Sequence, residues 1–130
     1  MSQNGGSYLL VDIPKLGLQQ VDGIKLMRIV IAKTAAVYDL KKPSLITDGS
    51  PMGNVREVRR MAQYIIEYLC YIPSGNRLLA LGYADKESML SDFKHIVQVI
   101  QYDDKLKARA TRILEGVQWA MTPIVSASTV

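Results

Sequence analysis

The chain has 130 residues, which is enough for one domain with a hydrophobic core. Its apolar content of 48% and its net charge of +4 exclude the composition of a disordered protein. One cysteine, Cys70, and one histidine, His95, exclude an internal disulfide and a metal site built from clustered Cys or His. Cys70 has mostly apolar neighbours, which predicts a buried side chain and not a reactive thiol.

Residues 1–22 are predicted to form a flexible or loosely packed head. Met1–Tyr8 contain no basic cluster that leads into an apolar stretch, so no signal peptide is expected. An apolar run before Pro14 predicts a short extended segment that packs on the body of the protein. The longest apolar segment, 29–37, is interrupted by Lys33 and is far shorter than the ~20 residues of a membrane helix. We therefore expect a cytoplasmic protein with no membrane partner.

The first helix is predicted from Gly23 to Tyr38, with Asp22 at its N-terminal end. Apolar residues recur along it in steps of three and four, which indicates one buried face. This face comprises Ile24, Met27, Val30, Ile31, Thr34, Ala35 and Tyr38.

The helix predicted from Val55 to about Tyr71 has an apolar face and a basic face. Asn54 and Glu57 have the spacing of a capping box at its start. The apolar face comprises Val58, Met61, Ala62, Ile65 and Leu69, and the opposite face comprises Arg56, Arg59, Arg60 and Gln63. A basic face is either a solvated surface or a contact with DNA phosphates, because adjacent arginines can follow the backbone of a duplex.

A helix-turn-helix is predicted after Pro73. Ser74 begins a short helix to about Leu81, Gly82 supplies a turn, and Asp85 caps a longer helix. The longer helix is predicted from Lys86 to Gln101, with a core stripe of Met89, Leu90, Phe93, Ile96, Val97 and Ile100. This helix is the predicted recognition helix.

The pair Asp103-Asp104 is predicted to cap a last helix that ends near Met121, followed by a tail at 122–130. Trp119 on this helix is predicted to be a core residue. Because no strand alternation is evident elsewhere, the fold class is predicted to be all-α, a helical bundle with a helix-turn-helix. The predicted domain spans residues 23–121.

No catalytic constellation is evident. The chain has no Gly-rich phosphate loop of Walker type and no paired His ligands, so we expect neither an enzyme nor a cofactor. At the start of the recognition helix, Lys86 and Ser88 are positioned to reach a base edge or a phosphate, and Glu87 to accept from cytosine or to repel phosphate. The predicted DNA-contact set is Arg56, Arg59, Arg60, Asp85, Lys86, Glu87, Ser88 and Lys94.

Four stretches of the chain resemble a known family, the C-terminal DNA-binding domain of the bacterial replication initiator DnaA. They are Thr34–Leu40 followed by Leu45, Arg59–Ala62, Leu81–Leu90 and His95-Ile96. The resemblance covers about two-thirds of the chain, from about Ile31 to Leu114, with one extra residue in the 47–54 loop. It implies a helix-turn-helix of the Trp-repressor type. The ATP-binding module of the initiator has no counterpart here.

The departures from the family concern the contact residues. The loop before the basic helix is rich in Lys and Arg in the family, but 48–53 carries no positive charge here. Family contact positions are changed at Ala84, Lys86 and Glu87. Of the family's contact set, Asp85, the conservative replacement Ser88 and the basic Arg59 remain. Two hypotheses remain.

The first hypothesis is a nucleoid-associated regulator of replication or transcription that binds double-stranded DNA. The second is a protein-interaction module that keeps the scaffold but has lost recognition of the family's DNA box. Its partner would be a second copy of the chain or a replication protein. The surface for that partner would come from the head, 1–22, and from the apolar end around Trp119.

Overall fold

The computed structural model describes residues 8–50, 52–70, 81–83 and 85–128, with side chains up to Val125. Within these ranges the chain is mostly helical, with five helices and one two-stranded sheet. In chain order the elements are β1 (Tyr8–Ile13), β2 (Gly17–Asp22), α1 (Gly23–Val37), α2 (Ser44–Thr47), α3 (Gly53–Leu69), α4 (Lys86–Ile100) and α5 (Asp104–Ser128). No helix in the described ranges is both long enough and apolar enough to cross a bilayer.

The segment predicted as a loose head is a β-hairpin from residue 8 onward, so the all-α prediction is wrong there. Strand β1 pairs antiparallel with β2 along its whole length. Alternate β1 residues, Leu9, Val11 and Ile13, are buried because successive strand side chains point to opposite faces. Leu10 lies between two of them and is exposed. Because Leu10 is apolar as well, the alternation of buried and exposed residues is not visible in the sequence. The predicted packing of this segment on the body is confirmed.

Helix α3 lies at the centre of the bundle and contacts β1, α1, α2, α4 and α5. Its residues Met61, Ile65 and Leu69 are fully buried, as the apolar face predicted. The predicted capping box is wrong, because α3 begins at Gly53 and no side chain caps it. Contacts on several sides of α3 also bury two of its polar residues, Arg59 and Gln63.

Helix α1 packs antiparallel against α5 and also contacts α3. The predicted cap at Asp22 is confirmed, since its carboxylate accepts hydrogen bonds from the amides of Ile24 and Lys25. Ile24 itself is exposed, although the sequence pattern assigned it to the core. In the first turn of α1 the core position is occupied by Leu26, which is fully buried.

Helix α5 continues to Ser128, so the predicted tail at 122–130 is wrong for its first seven positions. Pro123 lies inside the helix, where it removes one backbone donor. Met121 and Val125, on either side of the proline, are buried. Their packing against the protein favours continuation of the helix past Pro123. The predicted cap at the other end is confirmed: the Asp103 carboxylate accepts from the amides of Lys105 and Leu106.

The predicted helix-turn-helix is described only in part. The expected first helix, 74–81, lies outside the described residues except for Leu81, and so does Ala84. Gly82 has a φ of +71°, as expected for the turn, and α4 begins at Lys86. Leu90 was assigned to the core stripe of α4 but is exposed, whereas Asp92 is buried on that stripe. A carboxylate, and not a leucine side chain, therefore faces α3 near the start of α4.

Candidate nucleic-acid interface

Arg59 does not lie on a solvated basic face. Its guanidinium donates three hydrogen bonds to backbone oxygens, from Nε to Ile46 at 2.8 Å, from Nη1 to Ser50 at 3.1 Å and from Nη2 to Leu45 at 3.1 Å. Burial lowers the pKa of Arg59, and the residue joins α3 to α2 and to the loop that follows α2. Phosphate contact by Arg59 was predicted on the assumption of exposure, and that assumption is wrong.

Arg56 and Arg60 share one acceptor, the Oδ1 atom of Asp92 on α4. Arg60 Nε lies 3.0 Å from this atom and Arg56 Nη2 lies 3.3 Å from it. The Arg60 side chain is 18% exposed and that of Asp92 is 5% exposed, whereas that of Arg56 is 54% exposed. Asp92 thus neutralises the inner part of the predicted basic face and connects α3 to α4.

Tyr83 and Gln63 complete this network, which we call the Asp92 cluster: Arg56, Arg60, Gln63, Tyr83 and Asp92. Tyr83 Oη lies 3.0 Å from Asp92 Oδ2 and 2.9 Å from Gln63 Oε1, so its single proton serves one acceptor at a time. Gln63 Nε2 donates to the backbone oxygen of Met89 at 2.9 Å. The pKa of Tyr83 is raised, mainly by burial and next by the neighbouring Asp92 carboxylate. The cluster fixes the position of α4 against α3.

Asp92 is not among the residues that the sequence analysis singled out. Its spacing from Met89 and Ile96 places it on the buried stripe of α4, and an acidic residue on such a stripe indicates a buried ion pair. The arginines of the preceding helix were the available partners. Gln63 was grouped with the exposed basic face, but it is buried.

The start of α4 presents its predicted contact residues to solvent. Asp85, Lys86, Glu87 and Ser88 are exposed, as is Lys94 two turns later. The Asp85 carboxylate accepts a 2.7 Å hydrogen bond from the Ser88 amide, which lowers the pKa of Asp85. The predicted helix cap is confirmed. The partner of this cap belongs to the same helix, and contact with another element begins at Met89, whose backbone oxygen accepts from Gln63 of α3.

An open groove of about 500 Å³ separates the start of α4 from α3 and from the loop after α2. Glu87 and Asp92 line it as acidic groups, and Arg56 and Arg59 as basic groups, so the lining carries no net charge. Its remaining lining residues are Gly49, Ser50, Gly82, Tyr83, Ser88 and Ser91. The structure therefore brings Arg56, Glu87 and Ser88 to one groove, but it does not place Lys86 or Lys94 in the lining.

The thiol of Cys70 lies apart from this groove. Cys70 follows α3 and its backbone bridges Val11, and burial raises the pKa of its thiol to about 11. The side chain is half-buried, so the prediction of a buried side chain is confirmed only in part. Within the described residues no three His, Cys, Asp or Glu side chains lie close enough together to hold a metal ion.

Comparison with models of protein families, with curated proteins and with solved structures gives no match to this chain.

Proposed function

We propose that this protein binds double-stranded DNA through the exposed N-terminal half of α4. The observation that carries the proposal is the contrast between the two sides of this helix. One side is held by the Asp92 cluster, while on the other side Lys86 and Glu87 make no side-chain hydrogen bond or ion pair among the described residues, and the Ser88 side chain hydrogen-bonds with Asp85 at the same end of the helix. A rigidly supported helix with free polar side chains at its start is the arrangement in which recognition helices meet a major groove.

The proposal changes the roles of the three arginines. Arg59 and Arg60 act as supports for the helix, because their donors are engaged by backbone oxygens and by Asp92. Arg56 is the arginine that remains for a phosphate, and Lys86, Ser88 and Lys94 supply the other contacts. We propose a helix-turn-helix of the DnaA C-terminal or Trp-repressor type, with α4 as its recognition helix, in a nucleoid-associated regulator of replication or transcription.

A fluorescence anisotropy titration tests this proposal with random duplexes and duplexes carrying the DnaA box, each at several salt concentrations. Binding should weaken steeply with salt, because phosphate contacts release counterions. The variant Lys86→Gln should reduce the slope of log affinity against log salt by about 1. The matched control is Lys25→Gln, which removes the same charge from α1, beside β2 and the end of α5. Absence of binding to every duplex at low salt would refute the proposal.

A second candidate function, a protein-interaction module, is favoured by Trp119. This residue is 73% exposed, and Lys33 Nζ lies 5.2 Å from the centre of its ring. Exposed tryptophans are enriched among the residues that dominate protein interfaces. Light scattering at increasing concentration distinguishes a self-associating chain from a monomer. Loss of any dimer in Trp119→Ala, with DNA affinity unchanged, would assign Trp119 to a partner surface separate from α4.

A further inference from the structure

Arg56 and Arg60 contact the same carboxylate oxygen but are held very differently. Arg60 is largely buried and approaches Asp92 through Nε at 3.0 Å. Arg56 approaches it through one terminal nitrogen at 3.3 Å, and more than half of its side chain is exposed at the edge of the groove. The Arg56 guanidinium lies largely in solvent and Asp92 Oδ1 keeps the shorter bond from Arg60, so Arg56 can leave Asp92 at small cost.

The departure of Arg56 would leave no polar group of Asp92 without a partner. Oδ1 would keep the hydrogen bond from Arg60, and Oδ2 lies 3.0 Å from Tyr83 Oη. A buried acceptor that loses its last partner carries a large penalty, and that penalty is absent here. The Asp92 cluster therefore stabilises α4 without Arg56, and Arg56 is the member of the cluster that is free to move.

An external anion that binds Arg56 would have to replace Asp92 as the partner of the guanidinium. The groove carries Asp92 and Glu87 beside Arg56, so its own carboxylates satisfy the positive charge before any ligand arrives. We infer that Asp92 is an internal competitor of DNA phosphate for Arg56. It holds the guanidinium against the protein in the free state and releases it to the backbone of a duplex. This inference rests on the proposed DNA binding and names the residue that limits its strength.

The test is a double-mutant comparison in the full chain. Asp92→Asn keeps the shape of the side chain and removes its charge, and Glu87→Gln removes a charge from the same groove without touching Arg56. Each is measured alone and combined with Arg56→Met in the anisotropy titration against one random duplex. Asp92→Asn should tighten binding about fivefold at low salt and steepen the salt slope by about 1, because Arg56 becomes free for phosphate. In the Arg56→Met background the gain in affinity from Asp92→Asn should disappear. Glu87→Gln, which also removes a negative charge from the groove, should raise the affinity equally with and without Arg56.

Two results of this comparison would overturn the inference. An equal gain in affinity from Asp92→Asn in both backgrounds would show that Asp92 acts through its negative charge alone and not through Arg56. Weaker binding by a folded Asp92→Asn protein would make it a positioning residue for α4. Circular dichroism establishes folding. If Asp92→Asn does not fold, the side-chain NMR signals of the wild-type arginines decide: on addition of duplex the Arg56 signal should shift and the Arg60 signal should stay.

A second measurement does not depend on DNA. In the free protein, Arg60→Met should lower the denaturant midpoint strongly, because it removes a partner from a buried carboxylate. Arg56→Met should change the unfolding equilibrium constant less than about fivefold. Equal losses from the two variants would show that Arg56 is a structural tie and would overturn the inference. If the wild type binds no duplex, the proposed function fails, and this measurement still reports how Arg56 is held.

Discussion

Gly49 and Gly82 meet backbone to backbone, with both residues in the left-handed region at φ of +72° and +71°. A Cβ built on Gly49 would lie 2.9 Å from the backbone oxygen of Gly82, and one built on Gly82 would collide with the backbone oxygen of Thr47. The loop after α2 is thereby packed onto the turn before α4. Because Arg59 also binds this loop, through the backbone oxygen of Ser50, the loop that contacts the turn before α4 is tied to α3.

Substitution at this contact should be far more costly than at a glycine in open space. We expect Gly82→Ala to lower the free energy of unfolding by about 3 kcal/mol or more, since it combines a strained φ with a backbone collision. The control is Gly17→Ala, at a φ of +77° with no atom within 4 Å of the new Cβ, which should cost about 1 kcal/mol. Urea denaturation measures both. Similar losses would mean that the two loops are not in contact.

Arg59 should contribute more to stability than an exposed arginine does. We expect Arg59→Met to lower the free energy of unfolding by about 3 kcal/mol, because a buried charged donor set is removed from three backbone oxygens. Arg28 on the exposed side of α1 offers the comparison, and Arg28→Met should cost less than about 0.5 kcal/mol. A loss at Arg59 no larger than that at Arg28 would contradict the buried geometry.

Cys70 should react slowly with alkylating reagents until strongly alkaline pH. Burial raises the pKa of its thiol from 9.0 to about 11, so at pH 8 the thiolate fraction should be about 100-fold lower than in an unfolded chain. Since the folded pKa is the higher one, this contribution to stability is complete below pH 9 and is lost as the pH rises towards 11. The rate of iodoacetamide labelling against pH, with and without urea, measures the effect. Identical profiles would contradict it.

Trp119 should report directly on solvent exposure, because it is the only tryptophan in the chain. At 73% exposure its fluorescence should resemble that of free tryptophan in water and be quenched readily by acrylamide. The prediction that it belongs to the core is wrong, because Val117 and Met121 occupy the inner side of α5 at this level. A blue-shifted emission in dilute solution would contradict the described position of the side chain, and a shift that grows with concentration would indicate self-association.

Local features of this protein followed from its sequence, because they depend on neighbours within a few positions. The caps at Asp22, Asp85 and Asp103 were predictable since each carboxylate accepts from amides two or three residues later. The turn at Gly82 was predictable because a positive φ favours glycine. The apolar face of α3 followed from helical periodicity, which places every third or fourth side chain on one side.

The tertiary structure alone decided which side chains of the basic face remain free. Helical periodicity separates an apolar face from a polar one, but it does not show whether another element covers the polar one. Here α2 and its loop cover Arg59, and Asp92, 32 residues beyond Arg60 in sequence, neutralises the next arginine. Such pairings depend on how helices pack and not on local propensity. The sequence determined the central parts of the four long helices and the caps at Asp22, Asp85 and Asp103, and the packing left Arg56 as the exposed arginine of the predicted set.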